Sequence, residues 1–105
     1  MTSSWQPAGD RRLRVGLAGL GSMGRNHLRI LAGRDDIRLA AVADPLAPAL
    51  ANATQQTGAQ GFAEPLAMIR EADLEAVVIA APTTAHVPLA LAAIDRGIAV
   101  LVEKP

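Results

Sequence analysis

The sequence predicts an α/β fold, a doubly wound parallel sheet of strand order 3-2-1-4-5 that runs out after strand five. Three observations predict it. Five short apolar runs alternate with four segments of helical period, joined by short links. The first run breaks into Gly19-Leu20-Gly21-Ser22-Met23-Gly24 and passes straight into a helical segment. The second run ends in a carboxylate, Asp44, 20 residues after Gly24. Right-handed crossovers turn that alternation into one parallel sheet with helices on both faces.

The elements follow in order. Residues 1–11 read as a flexible tail, polar, with Pro7 and Gly9, and with Trp5 as a loose terminal aromatic. Residues 12–105 form the domain. Leu13 to Ala18 is the first strand; its apolar run without full alternation suits burial on both faces. Ser22 to Ala32 is the first helix, with Leu20, Gly24, Leu28 and Leu31 along the sheet side and Gly33 ending it. Arg25 and Arg29 lie four apart on its outer side. His27, near the packed side, is read as a half-buried structural histidine, because no second metal-type ligand sits nearby.

Ile37 to Ala43 is the second strand. Asp44-Pro45 looks like a helix cap followed by a first-turn proline, so the second helix is expected over 45–57, with Leu46, Ala49, Leu50 and Ala53 inward. Ala59 to Phe62 is a short third strand. Glu64-Pro65 opens a third helix with Leu66 and Ile69 inward. Ala76 to Ala80 is the fourth strand. Thr83 or Thr84 is expected to cap a fourth helix that has Pro88 in its first turn and runs to Arg96, before Gly97. Ile98 to Val102 is the fifth strand.

Composition narrows the classes of function. The chain has 105 residues, half of them hydrophobic, with one Trp, one Phe and no Tyr, so the core is aliphatic. Ten basic and ten acidic residues balance to zero, which gives no bulk-charge argument for a nucleic-acid or membrane partner. There is no cysteine, hence no disulfide framework, thiolate metal site or cysteine nucleophile. No apolar run approaches the roughly 18 residues that span a bilayer. The first ten residues lack the apolar centre of a signal peptide, and a cytoplasmic protein is expected.

The chemistry gathers on one rim. In doubly wound sheets, ligands sit beyond the C-terminal ends of the strands, near the switch between strands one and four. That rim collects Gly19 to Met23, Asp44, Ala80, Ala81, Pro82, His86, Glu103 and Lys104. The glycines each have a task in a dinucleotide site. Gly19 makes the turn out of the strand, Gly21 lets the backbone approach a pyrophosphate, and Gly24 lets the helix pack closely. The following helix turns its free N–H groups and positive dipole end toward phosphate. Asp44 is placed to accept hydrogen bonds from the adenine ribose hydroxyls. A 2′-phosphate there would meet a carboxylate, and no Arg or Lys follows Asp44 before Arg70, so NAD is favoured over NADP.

Four segments in this order carry a resemblance to a known family. They are Arg14 to His27 around the glycines, the Ala-Val-Ala-Asp44 strand end, Ala80-Ala-Pro-Thr-Thr-Ala-His86, and Val100-Leu-Val-Glu-Lys-Pro105. Over residues 13–105 the chain resembles the N-terminal Rossmann domain of the glucose–fructose oxidoreductase / inositol dehydrogenase (Gfo/Idh/MocA) family. The resemblance implies an NAD(P)-dependent dehydrogenase that moves hydride between the nicotinamide and a sugar, cyclitol or related hydroxyl substrate. It implies that Lys104 contacts the reacting hydroxyl, and that Pro82, His86, Glu103 and Lys104 lie along the nicotinamide half of the cofactor. One departure is visible: Ala81 stands where many members carry Thr. Family members also have a second domain after Glu-Lys-Pro that supplies the substrate pocket and a further Asp-x-x-x-His motif. The present chain is therefore expected to be a truncated domain that turns over no substrate alone. A non-catalytic NAD-binding sensor or regulatory module stands as the alternative. Strand five, ending as an apolar edge (Ile98, Val100, Val102), is expected to drive self-association.

Overall fold

The computed structural model describes residues 11–102. Its elements are β1 (Leu13–Ala18), α1 (Ser22–Ala32), β2 (Ile37–Ala43), α2 (Ala47–Thr57), β3 (Gln60–Phe62), α3 (Pro65–Glu71), β4 (Ala76–Ile79), α4 (Thr83–Asp95) and β5 (Ala99–Val102). The five strands form one sheet of order β3-β2-β1-β4-β5, as expected, and every neighbouring pair is parallel.

Alternation along the strands feeds two separate cores. Val15 and Leu17 of β1, Val42 of β2 and Val78 of β4 point to one face, where Leu28, Leu31 and Ala53 of α1 and α2 cover them. Ala18, Ala41, Ala43, Val77 and Ile79 point to the other, under Met68, Ile69, Leu89 and Ala93 of α3 and α4. Burial on both faces explains why the strand sequences show no polar alternation. Each fully buried Leu, Ile, Val or Met stabilises the fold by roughly 1.5–3 kcal/mol. Arg96 adds a polar clamp outside the cores, its guanidinium donating to the carbonyls of Ile69 (2.6 Å) and Ala72 (3.1 Å). In the turn before β2, hydrogen bonding from Arg34 holds the exposed Asp36 carboxyl below its ordinary range.

Four local expectations are corrected. Helix α2 opens at Ala47 rather than Pro45, with Leu46 as its cap and Pro48 in its first turn. The reason is Asp44, whose carboxylate takes the Leu46 N–H at 2.8 Å and so makes a turn before the helix begins. Leu46 consequently points outward, 67% exposed, instead of packing on the sheet. Neither Thr83 nor Thr84 caps α4: the cap is Pro82, and both threonines lie in the first turn. Pro88 falls inside the helix, a turn deeper than expected. There its ring nitrogen has no N–H to offer the Thr84 carbonyl. Trp5 and nearly all of the expected tail lie outside the described residues.

Candidate functional site

The site is built by backbone bonds that continue the sheet past its strand ends. The Gly19 N–H donates to the Ala43 carbonyl at 2.8 Å, the Ala80 N–H to that of Ala18 at 2.8 Å, and the Asp44 N–H to that of Phe62 at 3.1 Å. These three bonds fix the loops after β1, β2 and β4 against one another. They enclose a cleft of about 680 Å³ at the β1–β4 switch. Gly19, Leu20, Gly21, Ser22, Met23, Asp44, Ala80, Ala81 and Pro82 all line it.

The three glycines differ in what the fold asks of them. Gly19 adopts φ +103°, and a Cβ there would lie 2.7 Å from the Ala80 carbonyl carbon. A Cβ on Gly24 would collide with the Gly19 carbonyl oxygen, so α1 seats directly on the turn that precedes it. Gly24 accordingly lies behind the cleft and does not line it. Gly21 is unlike both: it has φ −66°, and a Cβ there would meet nothing within 4 Å. The chain's own packing has no need of a glycine at that position. Gly21 also caps α1 with no side-chain bond, and no acidic residue occupies the first turn. The first-turn N–H groups and the positive helix end thus face the cleft unopposed.

Asp44 closes the other side. It is buried, at 8% exposure. One carboxylate oxygen accepts the Leu20 N–H at 2.7 Å, and the other accepts that of Leu46. Each oxygen keeps further acceptor capacity.

His86 stands on α4 but does not line the cleft. Its Nε2 lies 2.7 Å from the Ala81 carbonyl oxygen. A carbonyl only accepts, so Nε2 carries the proton and donates. The ring thereby anchors the Ala81 peptide, which forms part of the cleft wall. His27 is half-buried on α1. Among the described residues, no group of three or more His, Cys, Asp or Glu side chains could hold a metal. Glu103 and Lys104 lie outside the described residues.

The fold adds lining residues that local sequence did not mark: Pro45, Leu46, Pro65, Thr83 and Ala85. Pro45 and Leu46 adjoin Asp44, but the sequence placed them in the second helix, with Leu46 inward, rather than on the rim. Pro65 has no local signal, since the β3–α3 connection reaches the cleft only through the strand order. A larger hollow of about 920 Å³ lies between α1 and α2 and shares Leu20, Gly21 and Leu46 with the cleft. The site lies in the smaller space, because that one holds Asp44, Gly19 to Met23 and the β4 strand end.

A doubly wound sheet with an open glycine turn at its switch point, facing a buried carboxylate, defines a dinucleotide-binding Rossmann domain. Comparison with known proteins then narrows the class. A family model described as "Oxidoreductase family, NAD-binding Rossmann fold" matches residues 13–105. The chain belongs to this Gfo/Idh/MocA oxidoreductase family. It is 48% identical over 98 residues to inositol 2-dehydrogenase 4 of Saccharopolyspora erythraea, a match covering 91% of this chain and 29% of that protein. It is 36% identical over 94 residues to the rhizopine catabolism protein MocA of Rhizobium meliloti, covering 90% and 29%. Among solved structures, scyllo-inositol dehydrogenase of Lactobacillus casei with bound NAD(H) and scyllo-inositol superposes with a TM-score of 0.84 at 28% identity, covering 90% of this chain and 28% of that one. The chain thus spans about 29% of the length of the curated relatives it matches. No helix among the described residues is long and apolar enough to cross a membrane.

Proposed function

We propose that this chain is the cofactor-binding domain of an NAD-dependent dehydrogenase acting on a cyclitol or related sugar-like substrate. The observation that carries the reading is the empty space in front of Gly21, between two glycines that the fold itself requires. A glycine kept where the protein's own atoms leave room fits an external group brought close to the backbone. Ser22, Met23 and the first turn of α1 would hold a pyrophosphate, and Asp44 the adenine ribose hydroxyls. Ala80, Ala81 and Pro82 would wall the cleft toward the nicotinamide half, with Ala81 held in place by His86. When bound, the nicotinamide would supply the hydride-accepting or hydride-donating centre. By the family resemblance, Lys104 would contact the reacting hydroxyl and Glu103 would lie beside the cofactor. The inositol dehydrogenases among the relatives support the substrate class.

NAD is preferred over NADP in this reading. The lining of the cleft includes a carboxylate and no Arg or Lys among the described residues, so a 2′-phosphate would meet like charge without a compensating cation. Calorimetric titration of the folded chain is expected to show NAD⁺ binding at least about tenfold tighter than NADP⁺, equivalent to roughly 1.4 kcal/mol. Equal or tighter binding of NADP⁺ would overturn the preference. No binding of either nucleotide by a chain shown to be folded would overturn the cofactor reading for this domain.

We also propose that the chain self-associates through β5. Among the described residues that strand is the last in the sheet order, and Leu101 and Val102 on it are 55% and 39% exposed. Unpaired apolar edges of this kind add strands from other molecules. Light scattering is expected to show a mass that rises with concentration, and Leu101→Lys, at the more exposed of the two positions, is expected to suppress the rise. A constant monomer mass at high concentration would sink the proposal.

A further inference from the structure

Asp44 makes two bonds that no ribose explains. Its Oδ2 accepts the Leu20 N–H at 2.7 Å, and its Oδ1 accepts the Leu46 N–H at 2.8 Å. The first bond reaches across 24 residues to the middle of the glycine turn. The second stays within the loop that leads to α2. One buried side chain therefore ties together the two loops that face each other across the cleft.

We propose that Asp44 is a positioning residue that clasps the glycine turn to the β2–α2 loop before any cofactor arrives. The bonds around it make the clasp specific. The Gly19 N–H is already committed to the Ala43 carbonyl and the Asp44 N–H to that of Phe62, so the backbone holds the two loops only at their roots. Leu20 lies one residue beyond that root and is buried, at 4% exposure. Its N–H has the Asp44 carboxylate as its partner. Removing the acceptor leaves a buried donor unpaired, and a buried donor without a partner is costly. Relief comes when water enters the space left by the side chain or when the turn moves to meet it, and either frees the turn from the β2–α2 loop. Movement of Leu20 shifts Gly21 and the start of α1, the part of the site that would hold the pyrophosphate. A charged acceptor also makes a shorter and stronger bond than a neutral one, which suits a carboxylate here.

The clasp is a property of the ligand-free chain, and only its second test rests on the cofactor reading. In the first, amide hydrogen exchange is measured by NMR on the ligand-free protein and on Asp44→Ala. Exchange at Leu20 and Leu46 is expected to accelerate by at least about tenfold in the variant, while amides in the β1 and β4 strands keep their protection, as follows from losing a charge-assisted bond locally. Unchanged exchange at Leu20 in a folded variant would overturn the proposal. Should Asp44→Ala fail to fold, Asp44→Asn decides. Its amide oxygen can serve one of the two N–H groups but not both, so faster exchange is expected at one amide, and unchanged protection at both would overturn the clasp.

In the second test, both proteins are titrated with an NAD⁺ analogue that lacks the 2′- and 3′-hydroxyls of the adenine ribose. An Asp44 that acts only by reading those hydroxyls leaves affinity for this analogue unchanged on substitution. A clasp predicts a loss on the order of tenfold. Equal affinity of the two proteins for the analogue would overturn the proposal. If the native chain binds neither NAD⁺ nor the analogue, the cofactor reading fails, and the exchange experiment still decides the clasp.

Discussion

Gly24→Ala is expected to destabilise the domain by about 3 kcal/mol or more, a large share of the 5–15 kcal/mol that holds a domain of this size together. The added methyl would run into the carbonyl oxygen of Gly19 and come within 2.6 Å of its carbonyl carbon. Side chains in a core can change rotamer to make room, but backbone atoms held on both sides cannot. Gly19 is held in that way. Its N–H is bonded to Ala43, its φ of +103° belongs to a region other residues seldom adopt, and the Ala80 and Ala81 backbone leaves no room even for a Cβ on it. The only relief is to lift α1 off the sheet, which uncovers Leu28 and Leu31. Urea denaturation followed by circular dichroism measures the effect. A midpoint equal to that of the native chain would show that α1 does not seat on the turn as described.

Gly21→Val is expected to do the reverse, sparing the fold and removing the function. Its backbone, at φ −66° and ψ −168°, is one that any residue adopts, and the space in front of it is open. The stability change is expected to stay within about 1 kcal/mol, the scale of losing a favourable helix-cap residue. In the cofactor reading, the branched side chain occupies the place where the pyrophosphate would approach the backbone. NAD⁺ affinity is then expected to fall by at least about a hundredfold, equivalent to roughly 2.7 kcal/mol. Calorimetry on a variant with a native-like denaturation midpoint is the check. Undiminished NAD⁺ binding would mean that the open space at Gly21 is not where the cofactor lies. The two variants stand three residues apart in one motif, and they separate the glycine that the fold requires from the one that, in the cofactor reading, the ligand requires.

Much of this was legible in the chain. Apolar runs too short for helices, separated by segments of helical period, leave few arrangements other than a parallel sheet between helix layers. Right-handed crossovers then restrict the strand order. The Gly19–Gly24 spacing and the carboxylate at Asp44 mark the rim because strand ends and helix starts are local features. The helix starts were read less well. Asp44 looked like a cap for α2, yet its side chain turns back to the Leu46 N–H and across to that of Leu20. A cap is a contest among nearby acceptors, and a partner 24 residues away cannot be seen in the local pattern. Thr83 and Thr84 are not caps because the chain enters α4 earlier, with Pro82 at the cap position.

The sequence by itself determined the strand order, the two aliphatic layers and the glycine turn, because periodicity and chirality act over a few residues at a time. The family followed from four ordered segments spread over most of the chain. For the three glycines, whose tasks the motif already suggested, tertiary structure supplied the atoms behind them: backbone crowding at Gly19 and Gly24 and open space at Gly21. It also decided that His86 faces the Ala81 carbonyl rather than the cleft, that Pro65 joins the lining, and that Asp44 links two loops. Each of these is a contact between segments distant in the chain, and only the closed sheet sets those distances.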